Sequence, residues 1–341
     1  YDGNELLSRK PVTAKMNTRI NSDDLTIFFE KNDLKIKDIP LQFNGKFNFE
    51  PNGYTLNLSL LSVMEKEFLS ARLKMIQGKA LYVAAKATAS VDLERWSVAF
   101  GYRGGILKGM YDLSLMADGY YETGPVKVGR RGEVDTVVVS IPKFELLTKI
   151  TGGYFKYHDL PQAISNISFD LNAKCPDHNY KNLTVQLDKL RAGFLNNTIE
   201  GRFALKDFES MTLEADLNGG CDLGELKEAI PMDSLDLAGR LDLKVNVSGS
   251  YLPEEKKFPV TTANILWKDG LVKSGYYPNA IEKISMAMEV KNSSGRMDDL
   301  EITIDPFNFS FEGKPFTLTA RVAHLADVRY DIQSKGVLDL G

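Results

Sequence analysis

The sequence predicts a mostly β protein in which tandem repeats of an antiparallel β-meander form a curved or elongated sheet with a few short helices. Three observations predict it: an internal repeat, a two-residue hydrophobic period and a scarcity of helix signals.

The repeat comes first. A constant shift of 130 pairs Asp92 with Asp222, Leu93 with Leu223, Leu107 with Leu237, Gly109 with Gly239, Leu113 with Leu243, Gly119 with Gly249 and Tyr121 with Tyr251. A shift of 117 then pairs Gly153 with Gly270, Pro161 with Pro278, Ile164 with Ile281, Phe194 with Phe311, and Asp222-Leu223-Gly224 with Asp339-Leu340-Gly341. The two shifts differ by a 13-residue insertion around Gly124–Thr136. The chain is therefore divided into a partial β repeat over 1–90, a first meander repeat over 91–220 with the insertion at 124–136, and a second repeat over 221–341. In the partial copy, Leu69–Met75 sits like Ile199–Leu205. Reuse of one unit points to a modular or elongated structure and away from a compact enzyme.

The two-residue period sets the strands. From Leu235 to Val247 the odd positions are Leu235, Leu237, Gly239, Leu241, Leu243, Val245 and Val247, and the even ones are polar apart from Ala238. This predicts one long half-buried strand, or a hairpin of two. The pattern recurs around Leu41–Phe49, Tyr111–Leu115, Ile167–Leu171, Leu183–Leu187, Met211–Leu217, Ile284–Val290 and Phe307–Phe311. Turn signals at Pro51-Asn52-Gly53, Asp118-Gly119, Cys175–His178, Lys268–Gly270, Ser294-Gly295 and Glu312-Gly313 divide the runs. Helices are expected at Leu93–Phe100 and Leu223–Ile230, with Met64–Ala71 as a further candidate and Glu145–Ile150 able to go either way.

These elements pose a burial problem. Leaving Leu241, Leu243, Val245 and Val247 in water costs roughly 6–12 kcal/mol, at about 1.5–3 each. So few helices cannot cover so many one-sided strands. Either the sheet closes on itself, or something else occupies its dry face. The eight residues on the least interrupted runs, Leu213, Leu217, Leu241, Leu243, Val245, Val247, Phe309 and Phe311, are the candidate lining of an apolar groove. As the core of a closed sandwich they would look the same in sequence.

No catalytic or metal signature stands out, and no cofactor is expected. His158, His178 and His324 are scattered, and Cys175-Pro176-Asp177-His178 reads as a turn. Cys175 and Cys221 read as free thiols, with a disulfide between them as the alternative, which requires their Cα atoms within about 7 Å. The basic cluster Lys127–Arg131 reads as a solvated hairpin tip, with anionic headgroups as a second possibility. A net charge of −4 argues against a nucleic-acid partner.

The run Gly219–Pro231, the alternating Leu235–Gly249, Trp267-Lys268-Asp269-Gly270 and Tyr277–Ile284 together resemble the AsmA-like superfamily. There a short helix ends near Ile-Pro, a glycine-punctuated strand pair follows, and a Pro-x-x-Ile-x-x-Ile segment comes after it. The resemblance covers roughly 90–341. It implies a taco-like sheet with an apolar interior, in a periplasmic protein anchored to the inner membrane by a helix outside this chain. It further implies a non-enzymatic role in outer-membrane biogenesis, with phospholipid or another acyl lipid as partner and contact with the inner or outer membrane through flanking segments. The alternative from another class is a structural or adhesive array of tandem β-sandwiches with closed cores. An outer-membrane barrel fits less well, because the strands are short and lack aromatic girdles.

Overall fold

The computed structural model describes residues 11–128, 133–159, 162–225, 235–324 and 327–337, without the side chains of 126–128 and 133–134. The described residues form twenty strands in an open antiparallel meander, with little helix. They fall into two compact units, Tyr1–Gly153 with Phe169–Val185, and Tyr154–Ser168 with Gln186–Gly341.

In the first unit, β1 (Val12–Lys15) and β2 (Thr18–Asn21) both pair with β3 (Thr26–Ile36). A ladder then runs through β4 (Ile39–Glu50), β5 (Gly53–Val63), β6 (Phe68–Gln77), β7 (Leu81–Asp92) and β8 (Gly105–Val128), each strand antiparallel to the next. The helix α1 (Leu93–Ala99) connects β7 to β8. Its N-cap Asp92 accepts from the backbone N–H groups of Glu94 and Arg95 at 2.8 and 3.1 Å. It ends in a Schellman turn: Gly101 takes a φ of 73°, and Tyr102 N–H donates to the Ser97 carbonyl at 2.9 Å. Under α1, Ile36, Ile39, Leu41 and Ala99 form a small buried cluster that Trp96, Leu60, Met64 and Leu34 pack against. The insertion is a hairpin, in which the end of β8 pairs with β9 (Glu133–Ser140). Its tip, with Arg130 and Arg131, lies outside the described residues.

Three strands, β10 (Lys143–Tyr157), β11 (Ile164–Cys175) and β12 (Thr184–Phe194), contribute residues to both units. The second unit continues through β13 (Asn197–Asp207), β14 (Thr212–Asp222), β15 (Leu235–Ser250), β16 (Val260–Ser274), β17 (Ile281–Asn292), β18 (Leu300–Phe311), β19 (Lys314–Ala323) and β20 (Arg329–Gly336). Each pairs antiparallel with the next.

The sequence repeat reappears as repeated local geometry. Asp222 caps a helical turn at 223–225 as Asp92 caps α1, accepting from the N–H groups of Gly224 and Glu225. The N–H of each capping Asp is held by a buried side chain 130 residues from its counterpart: Glu67 accepts from Asp92, and Asn197 accepts from Asp222. Gly109 and Gly239 both have positive φ, 115° and 98°, and lie against Gly153 and Gly270 so closely that a Cβ would stand 2.8 and 2.7 Å from the facing Cα. The Ile141 N–H donates to the His178 carbonyl as the Phe258 N–H donates to that of Gly295, each pair shifted by 117.

Several local expectations need correction. Met64–Ala71 is not helical: it is a turn leading into β6, where Leu69, Ala71, Leu73 and Met75 share one face. Glu67 in that turn is committed to holding the start of α1. Asp118-Gly119 and Lys268-Asp269-Gly270 are not turns either. They lie inside β8 and β16: the β7–β8 ladder runs unbroken through Gly119 despite its positive φ, and Asp269, also at positive φ, sits at a register irregularity that leaves β16 continuous. Leu235–Val247 belongs to one strand, and Glu145–Ile150 is strand. Helical structure begins at Leu223 as expected, but residues 226–230 lie outside the described residues, as do Pro161 and Asp339–Gly341. Both cysteines are free.

Candidate functional site

Antiparallel register decides which side chains share a face, because directly paired residues point the same way. In the second unit one row reads Gly201, Leu217, Val245, Ala263, Val290, Ile302, Val322, Tyr330, crossing all eight strands from β13 to β20. The next row on that face reads Ile199, Gly219, Leu243, Ile265, Met288, Ile304, Ala320, Ile332. Neither row contains a charged residue, and none of these residues is buried. Leu243 is 39% exposed, Ile332 55% and Tyr330 72%.

All eight candidate residues lie on this face. Leu217 pairs with Val245, Leu213 with Gly249, Val247 with Ala215 and Leu241 with Cys221. Phe309 and Phe311 follow Phe307 at steps of two along β18, and Phe307 pairs with Met286, which pairs with Trp267, which pairs with Leu241. An aromatic group forms there: Phe309 is 5.0 Å from Phe307 and stacks on Phe316 at 5.3 Å, and Phe311 stacks on Tyr277 at 5.7 Å. Apart from exposed Leu243, the eight are half-buried.

The first unit carries a face of the same kind. One row reads Phe29, Gly45, Leu58, Leu73, Ala85, Ala117, and a neighbouring row reads Phe43, Leu60, Ala71, Ala87, Leu115. The sequence candidates all come from the second unit. The alternation in β4 to β8 is equally regular and would have found these too.

Among the described residues only eleven apolar side chains are buried. A closed two-layer core of this length would bury many more. The apolar side chains on the strands instead rest in contact with their cross-strand neighbours and remain open outward. Among the described residues there is no group of three or more metal-ligating side chains, and no helix is long and apolar enough to cross a membrane. The Cys175 thiol donates to the Asn179 carbonyl at 3.2 Å, and burial raises its pKa, so it is held in its protonated form.

No family model matches the chain, and neither a curated protein nor a solved structure matches it.

Proposed function

We propose that the chain is a lipid-handling protein of the bacterial envelope, AsmA-like, periplasmic and membrane-anchored in its full-length form, that takes part in outer-membrane biogenesis and holds or conducts acyl chains along its apolar sheet face. The observation that carries the reading is the pair of uncharged rows crossing β13 to β20 with no buried residue in either. A 16-carbon acyl chain crossing water faces a barrier of order 10 kcal/mol, at about 0.8 kcal/mol per CH₂. A continuous apolar surface removes that barrier and needs no reacting group. The closed-sandwich alternative requires a sealed core, and the sheet is open.

The test is lipid co-purification measured by mass spectrometry, with Leu243→Asp as the variant. On an open face the carboxylate stays hydrated, so the protein keeps its fold and loses lipid. Full lipid retention in a folded Leu243→Asp protein, or no lipid captured by a photo-crosslinker at position 243 in cells, counts against the reading.

A further inference from the structure

On the polar face of the first unit four cations stand together without an acidic partner. Lys46 lies on β4, Arg72 and Lys74 on β6, and Lys86 on β7, and all four are exposed. Arg72 faces Lys86 directly across the ladder. Lys46 and Lys74 both pair with Asn57, one from each side. None of the four enters an ion pair among the described residues, although Lys46 sits over the Phe28 ring and Lys74 over the Tyr82 ring. The acid at the end of the Lys46–Asn57–Lys74–Ala84 row, Asp118, accepts from the Tyr82 hydroxyl at 2.8 Å. With strands about 4.8 Å apart and alternate residues about 6.6 Å apart, the Cα atoms of Arg72, Lys74 and Lys86 fall within roughly 8 Å of one another, and that of Lys46 lies roughly 10 Å from Lys74 and roughly 16 Å from Lys86, within reach of the long side chains. Like charges set directly opposite destabilise a sheet, so a bare cluster of this kind is costly without a counter-charge.

The cluster also shapes a groove. A depression of about 580 Å³ is lined by the two polar rows, Asn44–Ser59–Arg72–Lys86 and Lys46–Asn57–Lys74–Ala84, and by residues of the row between them, Gly45, Leu58, Leu73 and Ala85. Of the flanking apolar rows, Phe43, Phe47 and Leu60 do not line it, whereas all four cations do. A second depression of about 480 Å³ shares Ala85, Lys86 and Ala117 with the first and adds Lys143 and Lys174, alongside Asp118 and Glu145. The second unit gives the contrast. The positions 130 residues after Arg72 and Lys86 are Arg202 and Asp216, which also face each other directly, and the position after Ala84 is Glu214. The same pair of ladder sites is balanced in one copy and doubly cationic in the other.

We propose that Lys46, Arg72, Lys74 and Lys86 form a binding site for a phosphate-bearing anion. Each phosphate monoester carries about −1.5 to −2 charges, so two phosphoryl groups match four cations. Arg72 offers a bidentate fork, and Ser59 and Asn57 add neutral donors. This site lies on the polar face of the first unit, and it does not depend on the acyl-chain reading.

The experiment titrates the full chain with inorganic pyrophosphate by calorimetry, and separately measures its sedimentation with phosphatidylcholine vesicles with and without phosphatidic acid. Lys86→Asp copies the balanced pair of the second unit. It should keep the circular dichroism spectrum and weaken binding on the order of 30-fold, two charges at about fivefold each. Lys86→Gln should weaken it about fivefold, and Lys244→Gln on the polar face of the second unit should leave it unchanged. Pyrophosphate binding without vesicle binding assigns the site to a soluble phosphate. Binding to phosphatidic acid vesicles that pyrophosphate displaces assigns it to a lipid headgroup. The proposal is overturned if the folded wild-type chain binds neither probe, or if Lys86→Asp and Lys86→Gln both bind as the wild type does.

Discussion

Two copies of one structural unit differ most where the backbone leaves them free to differ. On the polar face of the second unit the cations have acidic neighbours: Arg191 meets Glu200 at 3.2 Å, Arg240 meets Asp242 at 2.9 Å, and Arg321 meets Glu301 at 2.8 Å. The ion pairs of the first unit gather instead at its edge and around α1, as in Arg19–Glu30 and Arg95–Glu67, and the middle of its polar face, from β4 to β7, has none among the described residues. The positions that shape the chain do not differ in this way. Asp92 and Asp222 cap in the same manner, and Gly109 and Gly239 each allow a backbone approach that a Cβ would block. Backbone geometry tolerates few residue types at these points. An exposed ladder position tolerates nearly any, so function can diverge there without disturbing the fold.

The largest expected effect separates the buried cluster under α1 from the open faces. Ile39→Ala removes a fully buried side chain and should cost about 2–5 kcal/mol. Val245→Ala, on the open face, should cost only about 1 kcal/mol. Denaturant melts of the two variants measure the difference, and equal losses would mean that the face is as closed as the cluster.

The next effect compares the two helix anchors. Glu67 accepts from the Asp92 N–H and the Trp96 indole N–H, both at 2.9 Å, and meets Arg95 at 2.8 Å. Glu67→Ala strands those donors and should cost about 1–3 kcal/mol. Asn197→Ala should cost less, because Asn197 holds the Asp222 N–H but no indole. Thermal melts that rank Asn197→Ala above Glu67→Ala would break the parallel.

A smaller effect exchanges the charge pairs. Without ligand, Lys86→Asp should stabilise by roughly 0.2–1 kcal/mol, and Asp216→Lys should destabilise by a similar amount. Opposite signs in the two copies sharpen the comparison, and like signs would show that the two ladders are not equivalent.

The smallest effect depends on pH. The hydrogen bond from Arg321 holds the Glu301 carboxyl below its ordinary value of 4.5. The unfolded chain then binds that proton more readily than the folded one, so the pair stabilises above pH 4.5, and its contribution fades as the pH falls through the lowered folded value. A Tm difference between wild type and Glu301→Gln should appear at pH 7 and vanish in acid. A difference that grows in acid would exclude the pair as its cause.

Much of the fold was legible because its causes are local. A period of two places Leu241, Leu243, Val245 and Val247 on one side of a strand whatever lies around it. Asp92 ahead of Leu93, Trp96 and Phe100 at helical spacing, with Gly101 after them, announces a capped helix. Legibility failed where a local signal has two structural uses. Gly119 and Asp269-Gly270 carry turn chemistry but lie within long strands, the second at a register irregularity, and only the neighbouring strand decides between the two uses. Met64–Ala71 has helix-forming residues, but the side chain of Glu67 reaches across to Asp92 and Trp96, and Leu69 and Leu73 pair across strands.

The sequence by itself determined that alternating strands recur at fixed shifts, that each strand has one apolar side, and where the capped helix α1 begins. Tertiary structure alone decided that those apolar sides form continuous uncharged rows left open, because burial depends on whether a second layer exists and alternation is the same with or without one. It also decided that Lys46, Arg72, Lys74 and Lys86 converge. They lie on three different strands, and register, set by hairpin lengths and by irregularities inside the strands, brings Arg72 opposite Lys86 and sets Lys46 and Lys74 on either side of Asn57.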